Sequence, residues 1–248
     1  MNKIWAIANK DIKEAFRSRS TYIFILIMLV LTVSYFSSYN ALINGLHRQN
    51  ADQQAIINAS QVFLNNIIYV IPMIYSIFVC TIFANYSVIL DKAKRNIESL
   101  MATPVKLNQI WIGKSLAVTL PSIIIGIGIA VIMYIVMNIA FVIPQTAQFI
   151  VPSVLAIVST FIIVPILIFA IVMIVINVQL VISNPRIANF VFTGIFLILL
   201  FGVNALGGLG IGLNFGLIYL GAIVICAIIS YFLSRILTRE KVILSSRG

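Results

Sequence analysis

The sequence predicts an all-α polytopic membrane protein with six transmembrane helices, an N-terminal interfacial amphipathic helix and both termini in the cytoplasm. Its mean hydropathy is +1.14, with 62% hydrophobic and 9% charged residues, which is too apolar for a soluble domain. Several apolar runs exceed the roughly 20 residues that cross a hydrocarbon core of ~30 Å. Basic residues flank alternate runs, as the orientation rule for membrane helices requires.

Residues 1–20 form the first element, a basic amphipathic segment. Its apolar residues recur at helical spacing, and basic residues lie between them, which predicts a helix in the membrane interface. A solvated basic arm is the alternative, but it would expose Trp5 and Phe16 to water. The apolar residues are Ile4, Trp5, Ala8, Ile12, Ala15 and Phe16, and the basic ones are Lys3, Lys10, Lys13, Arg17 and Arg19.

Residues 21–237 are predicted to form the transmembrane domain, and residues 238–248 a basic cytoplasmic tail. A polar segment, 44–61, joins the first two spans, and Pro165 is expected to kink the fourth span without splitting it. A glycine cluster at 207–212 precedes the sixth span, where a flexible turn and close helix packing both remain open. The six predicted spans are 21–42, 65–90, 115–141, 154–183, 187–206 and 215–237.

The distribution of positive charge sets the predicted orientation. If the N-terminus is cytoplasmic, fifteen of the 16 lysines and arginines fall in cytoplasmic intervals, and only Arg48 lies outside. Splitting the fourth run at Pro165 would move the basic tail to the outer side, so the bias favours six spans. Because the positive charge is placed by membrane sidedness, the net charge of +10 does not indicate nucleic-acid binding.

The interval between the second and third spans, residues 91–114, is predicted to be a structured cytoplasmic hairpin. Apolar residues lie at i, i+3 and i+4 twice, first at Ile97, Leu100 and Met101 and then at Leu107, Ile110 and Trp111. Thr103-Pro104 separates the two stripes, because a proline disfavours helical geometry at the residue before it. Two short amphipathic helices are therefore expected.

Apart from Arg235 at the cytoplasmic end of the sixth, the predicted spans contain no ionisable residue, which argues against a proton- or sodium-coupled carrier and against a catalytic or metal site in the membrane. Gly113-Lys114-Ser115 resembles the end of a phosphate-binding loop, but Asn108 replaces the glycine that this loop needs. Hydrogen bonds between helices explain most amides in the spans. Asn85 and Asn177 are retained as candidates for a substrate path.

The chain resembles the permease subunits of type-2 ATP-binding-cassette exporters. The family's hairpin reads T-L-E-x-L-x-x-T-P, then a basic residue, then G-K at the start of the next span. Here Ile97-Glu98-Ser99-Leu100-Met101-Ala102-Thr103-Pro104 matches the core, with Lys106 and Gly113-Lys114 after it. The opening Ile7-Ala8-Asn9-Lys10-Asp11-Ile12 is also similar. In place of the family's Gly-Thr before the Leu-Glu pair, this chain has Arg95-Asn96.

The resemblance implies that the first hairpin helix docks on a cytosolic ATPase subunit. Glu98 would meet a basic or polar group there, Leu100 and Met101 would supply apolar anchors, and Thr103-Pro104 would fix the turn. The expected assembly has two ATP-binding subunits, which hold ATP and Mg²⁺, and a second permease copy or paralogue among membrane lipids. This chain would carry no cofactor and no enzymatic activity, and its expected location is a prokaryotic plasma membrane.

Two other functions remain open at this stage. The chain is an ATP-independent channel or carrier if it transports alone, or a sensor or recruitment subunit if its hairpin binds a protein other than an ATPase. The substrate class is also open, because apolar spans are a requirement of any membrane bundle.

Overall fold

The computed structural model describes residues 3–50, 52–94, 96–182, 194, 212–236, 240 and 242, and these contain helices and turns but no strand. Five of the described helices are long and apolar enough to cross a membrane. The protein is therefore an all-α polytopic membrane protein. The predicted fifth span, 187–206, lies outside the described residues except for Gly194, and so do most of the glycine cluster and of the tail.

Seven helices are described in chain order. They are α1 (Lys3–Arg17), α2 (Arg19–Arg48), α3 (Gln53–Ala93), α4 (Asn96–Ala102), α5 (Leu107–Thr146), α6 (Val154–Val181) and α7 (Gly212–Ile236). Three of them contain one π-helical segment each, at Asn85–Leu90 in α3, Asn138–Val142 in α5 and Ser159–Ile163 in α6. The segment in α6 directly precedes Pro165, which lacks the backbone N–H that a regular helix would use, and the helix continues through it as predicted.

The predicted polar loop 44–61 is mostly helical, which corrects the sequence-based boundary. Helix α2 ends at Arg48, and α3 already begins at Gln53. The cause is a buried stripe at i, i+4 and i+8 that extends the apolar face of α3 into the polar segment, at Ile56, Ser60 and Leu64. The Ser60 hydroxyl also hydrogen bonds the hydroxyl of Tyr39 in α2 at 2.8 Å.

Helices α3 and α5 pack closely at the centre of the bundle. A Cβ atom at Gly126 would overlap the Ser76 Oγ and lie 2.8 Å from the Pro72 carbonyl oxygen of α3. Only a glycine allows this approach, which is the way small residues bring helices together in membranes. The α3 core continues against α6, where Thr160 donates to the Ile68 carbonyl at 2.7 Å.

Helix α1 lies against the same end of the bundle as α4. At its start, Ile7 and the Ile4 carbonyl contact Gly113 of α5, and at its end the rings of Phe16 and Phe83 meet edge to face at 5.2 Å. The Ser18 hydroxyl also bonds that of Tyr86. Both ends of α1 therefore contact adjoining helices of the bundle. We call this end, which carries α1 and α4, the hairpin end.

Candidate functional site

A buried charge cluster joins α1, α3 and α5 at the hairpin end. The Lys114 ammonium is completely buried and donates to the Asp11 carboxylate at 3.0 Å and to the Asp91 carboxylate at 2.7 Å. It also donates to the Ser87 carbonyl, while the Ser87 hydroxyl donates to Asp11 at 2.6 Å. The three donor positions of the ammonium are thus all used, as a buried charge requires.

The sequence around Lys114 explains how the cluster forms. A Cβ at Gly113 would lie 3.1 Å from the Ile4 carbonyl and 3.2 Å from Ile7, so the glycine lets the α1 backbone lie close to α5. Ala8 and Ala15 of α1 are also fully buried, which places Asp11 between two small side chains on the inward face. Gly113 therefore allows the close contact between α1 and α5, and the neighbouring Lys114 stabilises that contact through its ion pair with Asp11.

The same cluster is linked to the hairpin. The Asn96 amide, at the start of α4, donates to Asp91 at 3.1 Å, and the next residue of α4, Ile97, is fully buried. Lys10 of α1 lies 3.9 Å from Asp91, and Lys3 donates to the Pro104 carbonyl at 3.1 Å. Helix α4 is thereby tied to α3 at one end and to α1 at the other.

A small cavity of about 120 Å³ lies between α1, α4 and the cluster. It is bordered by both carboxylates, by Lys114 and by polar and apolar residues of α4. The lining residues are Ile7, Lys10, Asp11, Asp91, Asn96, Ser99, Leu100 and Lys114. Within the described residues no group of three or more His, Cys, Asp or Glu side chains is arranged to hold a metal ion.

The predicted coupling residues occupy two different environments. Leu100 is half-buried against the core and Glu98 is half-buried, whereas Thr103 and Pro104 are exposed beyond the end of α4. The Thr103 hydroxyl donates to the Leu100 carbonyl at 2.6 Å, which closes the helix before the proline. The side chain of Met101 lies outside the described part of the structure.

Asn85 and Asn177, predicted for a substrate path, each have a buried amide atom without a hydrogen-bond partner among the described residues, Oδ1 in Asn85 and Nδ2 in Asn177. Asn85 begins the π-helical segment of α3, and Asn177 lies near the end of α6. Lys92 of α3 donates to the Leu180 and Ile182 carbonyls at 2.9 Å each, so these helix ends lie side by side. Both amides belong to the hairpin-end half of the bundle.

The charge cluster lies directly beside the predicted second and third spans. The sequence predicts Asp91 and Lys114 in the cytoplasmic hairpin, and in the structure both belong to the long helices α3 and α5 and are buried. Their pairing needs Asp11, which is far away in the sequence. The one local signal was an acidic residue on the inward face of α1, flanked by Ala8 and Ala15 at helical spacing.

The fold and the cluster define the class as an all-helical membrane protein with a structured hairpin at one end of its bundle. Comparison with known protein families and with curated proteins finds no match to this chain.

Proposed function

We propose that this chain is the transmembrane permease subunit of an ATP-driven exporter, in the manner of the type-2 ATP-binding-cassette family that it resembles. Separate ATP-binding subunits, two per complex, would bind and hydrolyse ATP on the cytoplasmic side. A second permease copy or paralogue would complete the pathway, which alternates between inward-open and outward-open states. The chain itself supplies the pathway and the surface on which the ATPase acts.

The observation that carries this proposal is the attachment of α4. The helix has seven residues, and buried contacts hold it by Ile97 and by the bond from Asn96 to Asp91. Its far side and its end remain exposed, at Ser99, Ala102, Thr103 and Pro104. A short helix with one buried face and one exposed face can bind a partner protein on the exposed face and pass that partner's movement to the bundle through the buried face.

The contacts of α4 give a route for such a push. A displacement of α4 moves Asn96 against Asp91 at the end of α3, and Asp91 shares Lys114 with Asp11. The same displacement reaches α1 directly through the bond from Lys3 to Pro104. Helices α1, α3 and α5 would therefore follow the partner together, as the rigid-body motions of alternating access require.

The test is co-purification of the full chain with an ATP-binding subunit from the native membrane in mild detergent. Glu98→Arg and Ser99→Arg alter the α4 surface, and we expect both to reduce the recovered ATPase at least tenfold. Gln54→Arg is the matched control, because Gln54 is exposed near the start of α3, away from α4, and should leave recovery unchanged. Leu100→Asp is less diagnostic, since Leu100 also packs against the core.

Other outcomes would replace the proposal. A homo-oligomer that transports without an ATPase would identify an ATP-independent channel or carrier, and Asn85 and Asn177 would then be the first residues to change. A stoichiometric partner that does not bind ATP would identify a sensor or recruitment subunit. Normal ATPase recovery with both arginine variants would remove α4 as the docking surface.

A further inference from the structure

Helix α1 divides into three faces with different chemistry. Ala8, Asp11 and Ala15 form the inward face, which is buried on α3 and α5. Trp5, Ile12 and Phe16 recur at spacings of seven and four residues and form an apolar flank. The remaining flank is basic and exposed, and we call it the basic flank; its members are Lys3, Lys10, Lys13 and Arg17.

Contacts fix the direction in which the two flanks point. On the apolar flank, Phe16 meets Phe83, which lies two helical turns from Asp91 toward the middle of α3. On the basic flank, Lys10 approaches Asp91 and Lys3 reaches Pro104 in the hairpin. The apolar flank therefore faces the membrane-spanning part of the bundle, and the basic flank faces the hairpin side. This is the orientation of a helix that lies at a membrane surface.

The side chains that follow α1 mark the edge of the lipid. Helix α2 begins at Arg19, and its first turns expose Tyr22, Ile23 and Leu26 to about 60% each. Such a row of exposed apolar side chains suits contact with acyl chains. Arg19 directly precedes this row, so a membrane that covers the row would place α1 at the level of the lipid headgroups.

The charges of the basic flank are only partly used within the protein. Lys3 bonds Pro104, and Lys10 is shared between Glu14 and Asp91. Lys13, Arg17 and Arg19 are exposed and form no ion pair with any described residue. Trp5, on the neighbouring apolar flank, is half exposed. Tryptophan is enriched at membrane interfaces, where its ring lies at the level of the headgroups.

We propose that Lys13 and Arg17 bind the headgroups of anionic phospholipids, with Trp5 inserted beside them. The charges are complementary, the three faces of α1 give the correct orientation, and the buried pair between Asp11 and Lys114 holds the surface rigid. Each cation near an anionic membrane surface favours binding by about fivefold. This lipid preference is independent of the proposed transport function.

The test uses the fluorescence of Trp5 in the full chain, reconstituted in phosphatidylcholine vesicles. Brominated lipids quench tryptophan only at close range, so equal mole fractions of brominated phosphatidylglycerol and brominated phosphatidylcholine are compared. The chain has two tryptophans, and Trp111 is buried, so a Trp5→Phe variant gives the background. We expect phosphatidylglycerol to quench Trp5 several-fold more effectively than phosphatidylcholine does.

Two double variants decide whether the preference belongs to α1. Lys13→Gln with Arg17→Gln should bring the quenching ratio of the two lipids close to one. Lys94→Gln with Lys106→Gln removes the same charge from exposed positions of the hairpin and should preserve the ratio. Equal quenching in the unaltered protein, a preference that survives the α1 variant, or an equal loss in both variants would overturn the proposal.

Discussion

The two ends of the bundle hold their helices by different chemistry. At the hairpin end, a single ammonium, that of Lys114, joins two carboxylates from two other helices. At the opposite end, neutral groups do the same work. Asn138 accepts from the Ile150 N–H at 3.0 Å, and the Tyr134 hydroxyl donates to the Ile150 carbonyl at 2.7 Å. Asn65 likewise accepts from the Ser153 N–H at 3.1 Å.

The two ends differ in how far apart in sequence their bonded groups are, and in how many bonds rely on one group. The amide contacts mostly fix a turn between neighbouring helices, so each can fail with local effect. The charge cluster joins segments that are 103 residues apart in sequence, and both bonds from its central cation to the carboxylates come from one donor, the Lys114 ammonium. A joint of this kind transmits displacement between elements, whereas the opposite end serves to keep its turns in place.

Lys114→Met should cause the largest loss of stability, and it acts at the hairpin end. It leaves the Asp11 and Asp91 carboxylates buried without their cation, and removing one partner of a buried pair costs about 3–5 kcal/mol. We expect strongly reduced thermal stability in detergent, followed by circular dichroism, and release of α1, seen as faster hydrogen exchange of residues 3–17.

Adding Asp11→Asn and Asp91→Asn to Lys114→Met removes the unpaired charges and serves as the control. Much of the lost stability should return in this triple variant, because it leaves no uncompensated charge buried in the cluster. If the triple variant is no more stable than Lys114→Met, the loss came from packing and not from charge.

Gly126→Ala tests the close contact between α3 and α5 at the centre of the bundle. The new Cβ would overlap the Ser76 hydroxyl and approach the Pro72 carbonyl, which belongs to the backbone and cannot move aside. We expect a loss of about 1–3 kcal/mol from overpacking. Gly128→Ala is the matched control, since a Cβ there meets nothing within 4 Å, and an equal loss in both variants would contradict the close approach.

Asn138→Ala should have a more local effect, at the opposite end. It leaves the Ile150 N–H without its acceptor, at a cost of about 1–3 kcal/mol for a buried donor. Hydrogen exchange should increase around residues 147–153 and remain unchanged in α1. An increase in α1 as well would show that the two ends are coupled more tightly than their contacts indicate.

Lys3→Ala should have the smallest effect on stability. The bond from Lys3 to Pro104 is exposed, and exposed contacts of this kind contribute about 0.5 kcal/mol or less. Faster exchange or proteolysis near Pro104 is still expected, because the link between α1 and the end of α4 is lost. An unfolding midpoint that falls as far as in Lys114→Met would contradict the exposed position of Lys3.

Hydropathy and helical spacing were sufficient for the class of fold and for the existence of α1 and α4. Apolar runs report directly on membrane crossing, and the break at Thr103-Pro104 is a local backbone effect, so the end of α4 at Ala102 was predictable. Helix α3 begins at Gln53, earlier than the predicted second span at 65, because Ser60 is polar yet buried through its bond to Tyr39. Such a partner is invisible in a local pattern.

The charge cluster could not be read from the sequence for the same reason. Asp91 and Lys114 lie next to other charged residues in the hairpin, and their local surroundings resemble a solvated segment. Their burial is set by Asp11 and by the approach of α1 at Gly113, both of which are tertiary contacts. In the sequence, Gly113-Lys114 only matches a family pattern. The packed structure shows its physical role, which is the close approach of α1 at Gly113 and the buried ion pairs of Lys114.

The separation of Asp11 from Lys114 also dictates an order of assembly during synthesis. Asp11 leaves the ribosome 103 residues before its cation does, an interval on the order of 5–20 s at usual elongation rates. Throughout that interval the carboxylate has no buried cation to pair with, so the first helix can dock fully only after the two long helices that follow it have been made. The final docking of the N-terminal segment is therefore a late event, triggered by the arrival of a single lysine.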